Sequence, residues 1–123
     1  MSSRNIDDLH PDLQPLCREF LARTHAEKIS TFLTCTLRTN EEQDAEYAKG
    51  RAKPGKIVTN AKAGQSKHNT GRAFDIAISN PDGSLNWDTA SEAWHRVGEI
   101  GKELGLTWGG DWKMKDMPHF EIA

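Results

Sequence analysis

An α+β fold, with a small, mostly antiparallel sheet flanked by helices, is what this sequence predicts, and three observations carry the prediction. Arg72 to Ser79 and Met117 to Ala123 alternate apolar and polar residues with the period of a half-buried strand. Pro11 to about Lys28, and Thr89 to Leu104, repeat apolar residues every three or four positions, the period of an amphipathic helix. Helices and strands are segregated rather than arranged in strict βαβ alternation, which argues against a parallel sheet. A length of 123 residues suits one domain spanning 1–123, large enough to bury a core.

Leu13, Leu16, Cys17, Phe20 and Leu21 form the apolar stripe of the first helix, and Pro11 or Pro15 falls in its first turn, where a missing N–H is tolerated. Ile29 to Leu37 then alternates, with Leu33, Cys35 and Leu37 on one side and Thr34 and Thr36 on the other, predicting a strand that ends at Arg38. Asn40 followed by Gln43 has the pattern of an N-cap and its capping-box partner, opening a short helix through Ala45, Tyr47 and Ala48 to Gly50. Residues 50–67 hold no sustained period and read as a long loop, a kind of segment that is often functional. In the next strand Phe74, Ile76 and Ile78 face one way while Ala73, Asp75 and Ala77 face the other. Asn80, Pro81, Asp82 and Gly83 mark a turn, and Thr89 with Glu92 forms a second capping box. The helix it opens has Ala93, Val97, Ile100 and Leu104 as core stripe and Gly105 as stop. The last strand sets His119 and Glu121 opposite Phe120 and Ile122, with Pro118 at its start.

Composition narrows the function. Sixteen Lys and Arg against eighteen Asp and Glu, net −2, create no general field for nucleic acid. Lys49, Arg51, Lys53, Lys56, Lys62 and Lys67 make the middle of the chain locally basic, read as a solvated loop with docking to an anionic polymer as the alternative. The N-terminus has no apolar signal region and no segment is long enough to cross a bilayer, so the expectation is synthesis in the cytoplasm without membrane insertion. Cys17 and Cys35 are too few for a disulfide framework and read as buried small apolar residues. His10, His25 and His95 lack partners at ligand spacing and read as surface residues. The oxygen-rich run Asn80, Asp82, Ser84, Asn86, Asp88 lacks the EF-hand order and reads as a solvated turn.

Metal-capable side chains concentrate in two segments, Ser66 to Asp75 and Asp116 to His119. His68 lies in the turn before a strand, Asp75 on that strand's small-residue face, and His119 on a second strand. If the strands are neighbours, two imidazoles and one carboxylate converge on one ion and leave a position open for water, as a catalytic zinc site requires. Each residue also has an ordinary reading, the His as a turn cap and the Asp as a salt-bridge partner, and spacing alone leaves both open.

The run S-x-H-x-x-G-x-A-x-D, here Ser66 to Asp75, followed by D-x-x-H, here Asp116 to His119, resembles the signature of the LAS metallopeptidases. It is most similar to the L-alanyl-D-glutamate peptidase branch found among bacteriophage endolysins; the wider group includes D-alanyl-D-alanine carboxypeptidases and dipeptidases. The resemblance runs from about Thr36 to Ile122 and takes in Leu37, Arg38, Thr39, Glu42, Gln43, Tyr47, Gly50, Arg51 and the stretch Trp108 to Trp112. It implies a LAS/hedgehog-like zinc peptidase fold with one catalytic Zn2+ on His68, Asp75 and His119. It implies Asp116 as general base and Arg38 as the contact to the developing oxyanion, against a surface salt bridge as the competing reading of Arg38. Ser66 either orients substrate or caps the turn before His68. Trp108 and Trp112 either line the cleft or pack in the core, and Asp111 and Glu121 are rival bases.

The activity so implied is hydrolysis of the L-alanyl-D-glutamate bond in peptidoglycan stem peptides. The implied setting is a phage or prophage endolysin, monomeric and without a separate wall-binding domain, made in the host cytoplasm and reaching the wall through a holin or another release route. A D-alanyl-D-alanine carboxypeptidase is one alternative. A zinc-dependent binding domain that has lost catalysis is another, and Asp116 and Arg38 argue against it.

Overall fold

The alternating segment before the Asn80 turn becomes the central strand of a sheet in the computed structural model, which describes residues 2–51, 55–57, 59, 62 and 64–123. In chain order the helices and strands are α1 (Gln14–Ala26), β1 (Ser30–Cys35), α2 (Asn40–Ala48), β2 (Ala73–Ser79), α3 (Glu92–Glu103), β3 (Thr107–Trp108) and β4 (His119–Glu121). The sheet is antiparallel throughout, in the order β1-β2-β4-β3, so the strands carrying Asp75 and His119 are neighbours. The expected α+β class holds.

Period-two alternation divides the sheet into two faces. Phe74, Ile76 and Ile78 of β2 and Phe120 of β4 point into the core, where they meet Leu13, Cys17 and Phe20 from α1 and Trp94, Val97 and Ile100 from α3. Three phenylalanines form its centre: the Phe20 ring lies 5.3 Å from Phe74 and 4.7 Å from Phe120. Each such ring contributes about 1.5–3 kcal/mol by leaving water. Burial pushes the Cys17 thiol up to about 12, as expected of an inert core cysteine.

Three expectations are corrected, and one strand is added to those expected. The register of β1 on β2 shifts between Leu33 and Cys35, so Leu33 opposes Ile76 while Cys35 opposes Asp75. This bulge turns Cys35 off the face of Leu33 and onto that of Asp75, and the thiol is buried beside the site rather than in the main core. Thr39, not Asn40, caps α2, with Glu42 as its reciprocal partner; Gln43 is fully buried instead. Ser91 is the N-cap residue of α3, because the Asp88 carboxylate accepts from the Ala90 N–H at 3.2 Å and holds the preceding residues in a turn. Finally, the two-residue β3 carries no periodic signal; it exists because Thr107 and Trp108 pair with Glu121 and Phe120.

The basic loop is engaged locally: Lys49 pairs with Glu46 at 3.1 Å and the Arg51 guanidinium lies 3.9 Å above the Tyr47 ring. Lys53 lies outside the described residues. His25 and His95 are exposed and His10 half-exposed, away from the ligand pairs described below. The Asn80 to Asp88 run is a turn whose side chains bond one another, Asp82 accepting from the Ser84 N–H at 2.9 Å. Among the described residues, no helix is long and apolar enough to cross a membrane.

Candidate active site

On the second face, antiparallel pairing lines up one row of side chains across three strands: Cys35 opposes Asp75, and Asp75 opposes His119. His68 arrives from the 3-10 turn Lys67–Thr70, just before β2. Ser66 caps that turn, its hydroxyl accepting from the His68 N–H at 3.2 Å, and Asn69 reciprocates by accepting from the Ser66 N–H at 3.3 Å. Gly71 closes the turn at φ 69°, where a Cβ would also come within 2.8 Å of the His10 nitrogen, so both backbone and space demand glycine. Asn69 donates to the Arg38 carbonyl at 2.9 Å and the Arg38 N–H donates to the His68 carbonyl at 3.0 Å, joining Arg38 to the turn.

Both imidazoles converge on one carboxylate oxygen. His68 Nε2–H donates to Asp75 Oδ1 at 3.1 Å and His119 Nδ1–H donates to the same atom at 3.0 Å. Their far nitrogens are also committed: His68 Nδ1–H donates to the Thr36 carbonyl at 3.0 Å and His119 Nε2–H to Glu121 Oε1 at 2.7 Å. Such outer acceptors fix ring orientation and leave the inner nitrogens to ligate. Burial disfavours charge on both rings, but the Asp75 bonds outweigh it, assisted by Cys35 for His68 and Glu121 for His119; His68 is raised to about 10 and His119 to about 9. Burial pushes Asp75 up, yet its two imidazole partners hold it well below the usual carboxylate range.

This donor set fits a zinc ion. Two imidazole nitrogens and one carboxylate oxygen are its ordinary catalytic ligands. A dication replacing the two inner protons would leave the site's net charge unchanged. A second set overlaps the first: Cys35 Sγ, a His68 ring nitrogen and an Asp75 oxygen lie within 4.8 Å of one another. The Cys35 sulfur, however, is 3.5 Å from His68 Nδ1, the nitrogen already held by Thr36, and 3.5 Å from Arg38 Nη2. Burial raises this thiol, but the His68 hydrogen bond and the charges of His68 and Arg38 bring it below its ordinary value.

The second face opens into a cleft of about 230 Å3 lined by Arg38, Glu46, Thr59, His68, Asp75, Asp116 and His119. Among the described residues Arg38 is held by hydrogen bonds rather than by a surface ion pair: Nη1 donates to the buried Gln43 Oε1 at 2.9 Å and Nε to Ser2 Oγ at 3.2 Å. Asp116 is held by its backbone, its N–H donating to the Gly109 carbonyl at 2.9 Å and its carbonyl accepting from the His119 N–H at 3.1 Å. A Cβ at Gly109 would stand 2.4 Å from that carbonyl oxygen, which is why the Asp116 segment can lie so close to Gly109. Partial burial, then repulsion from Asp75, raises the Asp116 carboxyl.

Two expected substrate contacts fall elsewhere. Ser66 caps its turn and borders a separate cleft with Lys67 and Arg72. Trp108 is 5% exposed, its Nε1–H donating to the Met117 carbonyl at 2.8 Å, and packs in the core. Of the rival bases, Asp111 pairs with Lys102 at 3.1 Å and Glu121 is committed to His119. Sequence reasoning did not assign Cys35, Gln43, Glu46 and Thr59 to the site. Gln43 and Glu46, three apart on α2, share a helix face and become legible once Thr39 is recognised as the cap. Trp112, one of the two tryptophans considered for the cleft, has its ring 5.2 Å from the His119 ring.

An antiparallel sheet presenting two imidazoles and a carboxylate beside a second carboxylate is the framework of a metallopeptidase. A model of the D-alanyl-D-alanine carboxypeptidase family of peptidases matches residues 59–122. The chain is 42% identical to the peptidoglycan L-alanyl-D-glutamate endopeptidase CwlK of Bacillus subtilis, covering 94% of this chain and 74% of that protein. It is 25% identical to the L-alanyl-D-glutamate peptidase of Listeria phage A118, over 98% of this chain and 40% of the phage protein. The crystal structure of the Serratia marcescens L-Ala D-Glu endopeptidase ChiX superposes with a TM-score of 0.69 at 26% identity, covering 100% of this chain and 89% of that one. The vancomycin resistance D,D-pentapeptidase VanY in complex with Zn(II) shares the fold, with a TM-score of 0.69 at 18% identity, over 93% of this chain and 72% of that one. The chain belongs to this peptidase family, within the LAS metallopeptidases.

Proposed function

We propose that the protein is a zinc-dependent endopeptidase that hydrolyses the L-alanyl-D-glutamate bond of peptidoglycan stem peptides, with His68, Asp75 and His119 as ligands of one catalytic Zn2+. The observation that carries this reading is the shared Asp75 oxygen, approached by both imidazoles while their far nitrogens are tied to Thr36 and Glu121. The substrate is supported by the activities named for the Bacillus, Listeria phage and Serratia relatives.

When bound, the zinc would supply Lewis acidity toward the scissile carbonyl and lower the pKa of water so that hydroxide is available near neutrality. Asp116 accepts the proton of the attacking water and returns it to the departing amine, a contribution of about 10²–10⁴-fold. Its raised carboxyl suits both halves of that task better than an ordinary aspartate. Arg38, braced by Gln43, aims a fixed positive charge at the cleft where the oxyanion develops. Glu121 and Thr36 keep the inner imidazole nitrogens free of protons once metal is present.

The test is mass spectrometry of purified peptidoglycan digested with and without a chelator. New amino-terminal D-glutamate, appearing only with metal, is the expected product. Free D-alanine would instead support a D-alanyl-D-alanine carboxypeptidase, the reading favoured by the family description. An endolysin role with holin-assisted release, supported by the phage relative, requires in addition lysis when the protein reaches the wall from inside a host and none without a release partner.

A further inference from the structure

Behind the catalytic cleft lies a buried side chain to which the proposed chemistry gives no part. Cys35 is 4% exposed and ends β1, the edge strand beside β2. A bulge disrupts the strand ladder locally and re-aims a side chain. The one between Leu33 and Cys35 sets Cys35 opposite Asp75. It delivers a sulfur that accepts from Arg38 Nη2–H at 3.5 Å and lies 3.5 Å from His68 Nδ1. The Arg38 guanidinium is thereby held at all three nitrogens, Nη1 by Gln43, Nε by Ser2 and Nη2 by Cys35. Gln43 belongs to α2 and Ser2 to the start of the chain, outside the sheet. Cys35 is the acceptor that belongs to the sheet, at the position paired with Asp75. The sulfur therefore refers the cation to the strands that carry Asp75 and His119. His68 depends on it less, because its Nδ1–H already has the Thr36 carbonyl at 3.0 Å, and a carbonyl oxygen accepts better than a thiol.

We propose that Cys35 is a positioning residue for Arg38, fixing the guanidinium relative to the strands of the ion site so that its charge meets the oxyanion of the tetrahedral intermediate. The inference rests on the proposed function, in which Arg38 faces that oxyanion. A cation aimed in advance stabilises the transition state without reorganising at the moment of reaction. Arginine needs such bracing more than a short side chain does, because its long stem gives the head many rotamers to choose from. Cysteine suits the position on two counts: it packs as a small apolar residue beside the outer nitrogen of His68, and its sulfur still accepts from Arg38.

Cys35→Ala removes the acceptor and Cys35→Ser restores one. Cys35→Val, which fills the space without an acceptor, replaces the alanine variant if its cavity unfolds the chain. Three measurements on the full zinc-loaded protein test the assignment: steady-state cleavage of a soluble stem peptide, zinc stoichiometry, and nitrogen-15 NMR of the Arg38 guanidinium, assigned by its loss in Arg38→Ala. Cys35→Ala should keep zinc and lose about five- to tenfold in kcat with KM little changed, the size of one hydrogen bond made to the held cation. Cys35→Ser should recover most of that loss. In an Arg38→Ala background, removing Cys35 should cost nothing further, because the two act as one unit. The separate Nη signals of a guanidinium whose rotation is held should merge in Cys35→Ala and persist in Cys35→Ser. Unchanged kcat in Cys35→Ala overturns the proposal, as does an equal loss in both backgrounds, which would make Cys35 merely structural. Loss of zinc from Cys35→Ala also overturns it and moves the action of the sulfur to His68. Failure of the wild-type protein to cut the peptide would instead sink the proposed peptidase function, while the guanidinium signals would still decide whether Cys35 holds Arg38.

Discussion

The two faces of the β2–β4 pair are made from alternate residues of the same strands yet are held by opposite physics. Phe74 and Phe120 on one face are stacked 5.5 Å apart and held by contact area, which is non-directional. Asp75 and His119 on the other, one residue along each strand, are held by directed bonds whose partners each occupy one angular position. A sheet can therefore place stability on one side and a costly cluster of buried ionisable groups on the other. The first side absorbs changes of shape at the price of stability, and the second loses function whenever a single partner is removed.

Four experiments break or sharpen that contrast, from the largest expected effect down. His68→Ala or His119→Ala should abolish stoichiometric zinc and reduce release of new amino termini to the level of the chelated wild type, with the circular dichroism spectrum of the fold retained. Asp116→Asn should keep zinc and fold while losing about 10²–10⁴-fold in turnover. Loss of zinc in that variant would make Asp116 a ligand, and near-normal turnover would move the base elsewhere in the cleft. Phe120→Ala, across the sheet, should cost about 3–5 kcal/mol in denaturant unfolding while the molecules that remain folded still bind zinc.

The fourth uses protons. Without metal, His68 and His119 are raised to about 10 and about 9, above the roughly 6.5 of an unfolded histidine. Their charged forms thus stabilise the metal-free fold fully below about pH 6.5, and that contribution fades as pH climbs through 9 to 10. Zinc uptake has the opposite sign, because both inner nitrogens must deprotonate. Calorimetry in buffers of different ionisation enthalpy should find about two protons released per zinc at pH 7. Release of none would mean that the imidazoles enter the site already neutral.

Strong periodicity made much of this architecture legible. The stripe from Leu13 to Leu21, the alternation through Asp75 and the terminal alternation through His119 each appear as the expected element, and the last two strands are neighbours as the metal hypothesis required. What was hidden depends on partners distant in sequence. The bulge that turns Cys35 toward His68 has no period-two signature, since an extra residue at Thr34 reads as normal alternation until β2 supplies the register. Trp108 has the composition of a cleft residue, but its core position follows from the pairing of β3 with β4 and the bond to Met117. The distinction between Thr39 and Asn40 as cap is one residue wide, and only the observed hydrogen bonds resolve it.

The cross-strand row Cys35, Asp75, His119 makes the ion site a gauge of strand alignment. Sliding β4 by one residue along β2 would turn Phe120 out to the cleft and His119 into hydrocarbon, so the slipped chain would forfeit its ring packing and its chelating power together. Misaligned molecules would therefore be blind to zinc, and metal uptake followed during refolding would count the chains that have found their register.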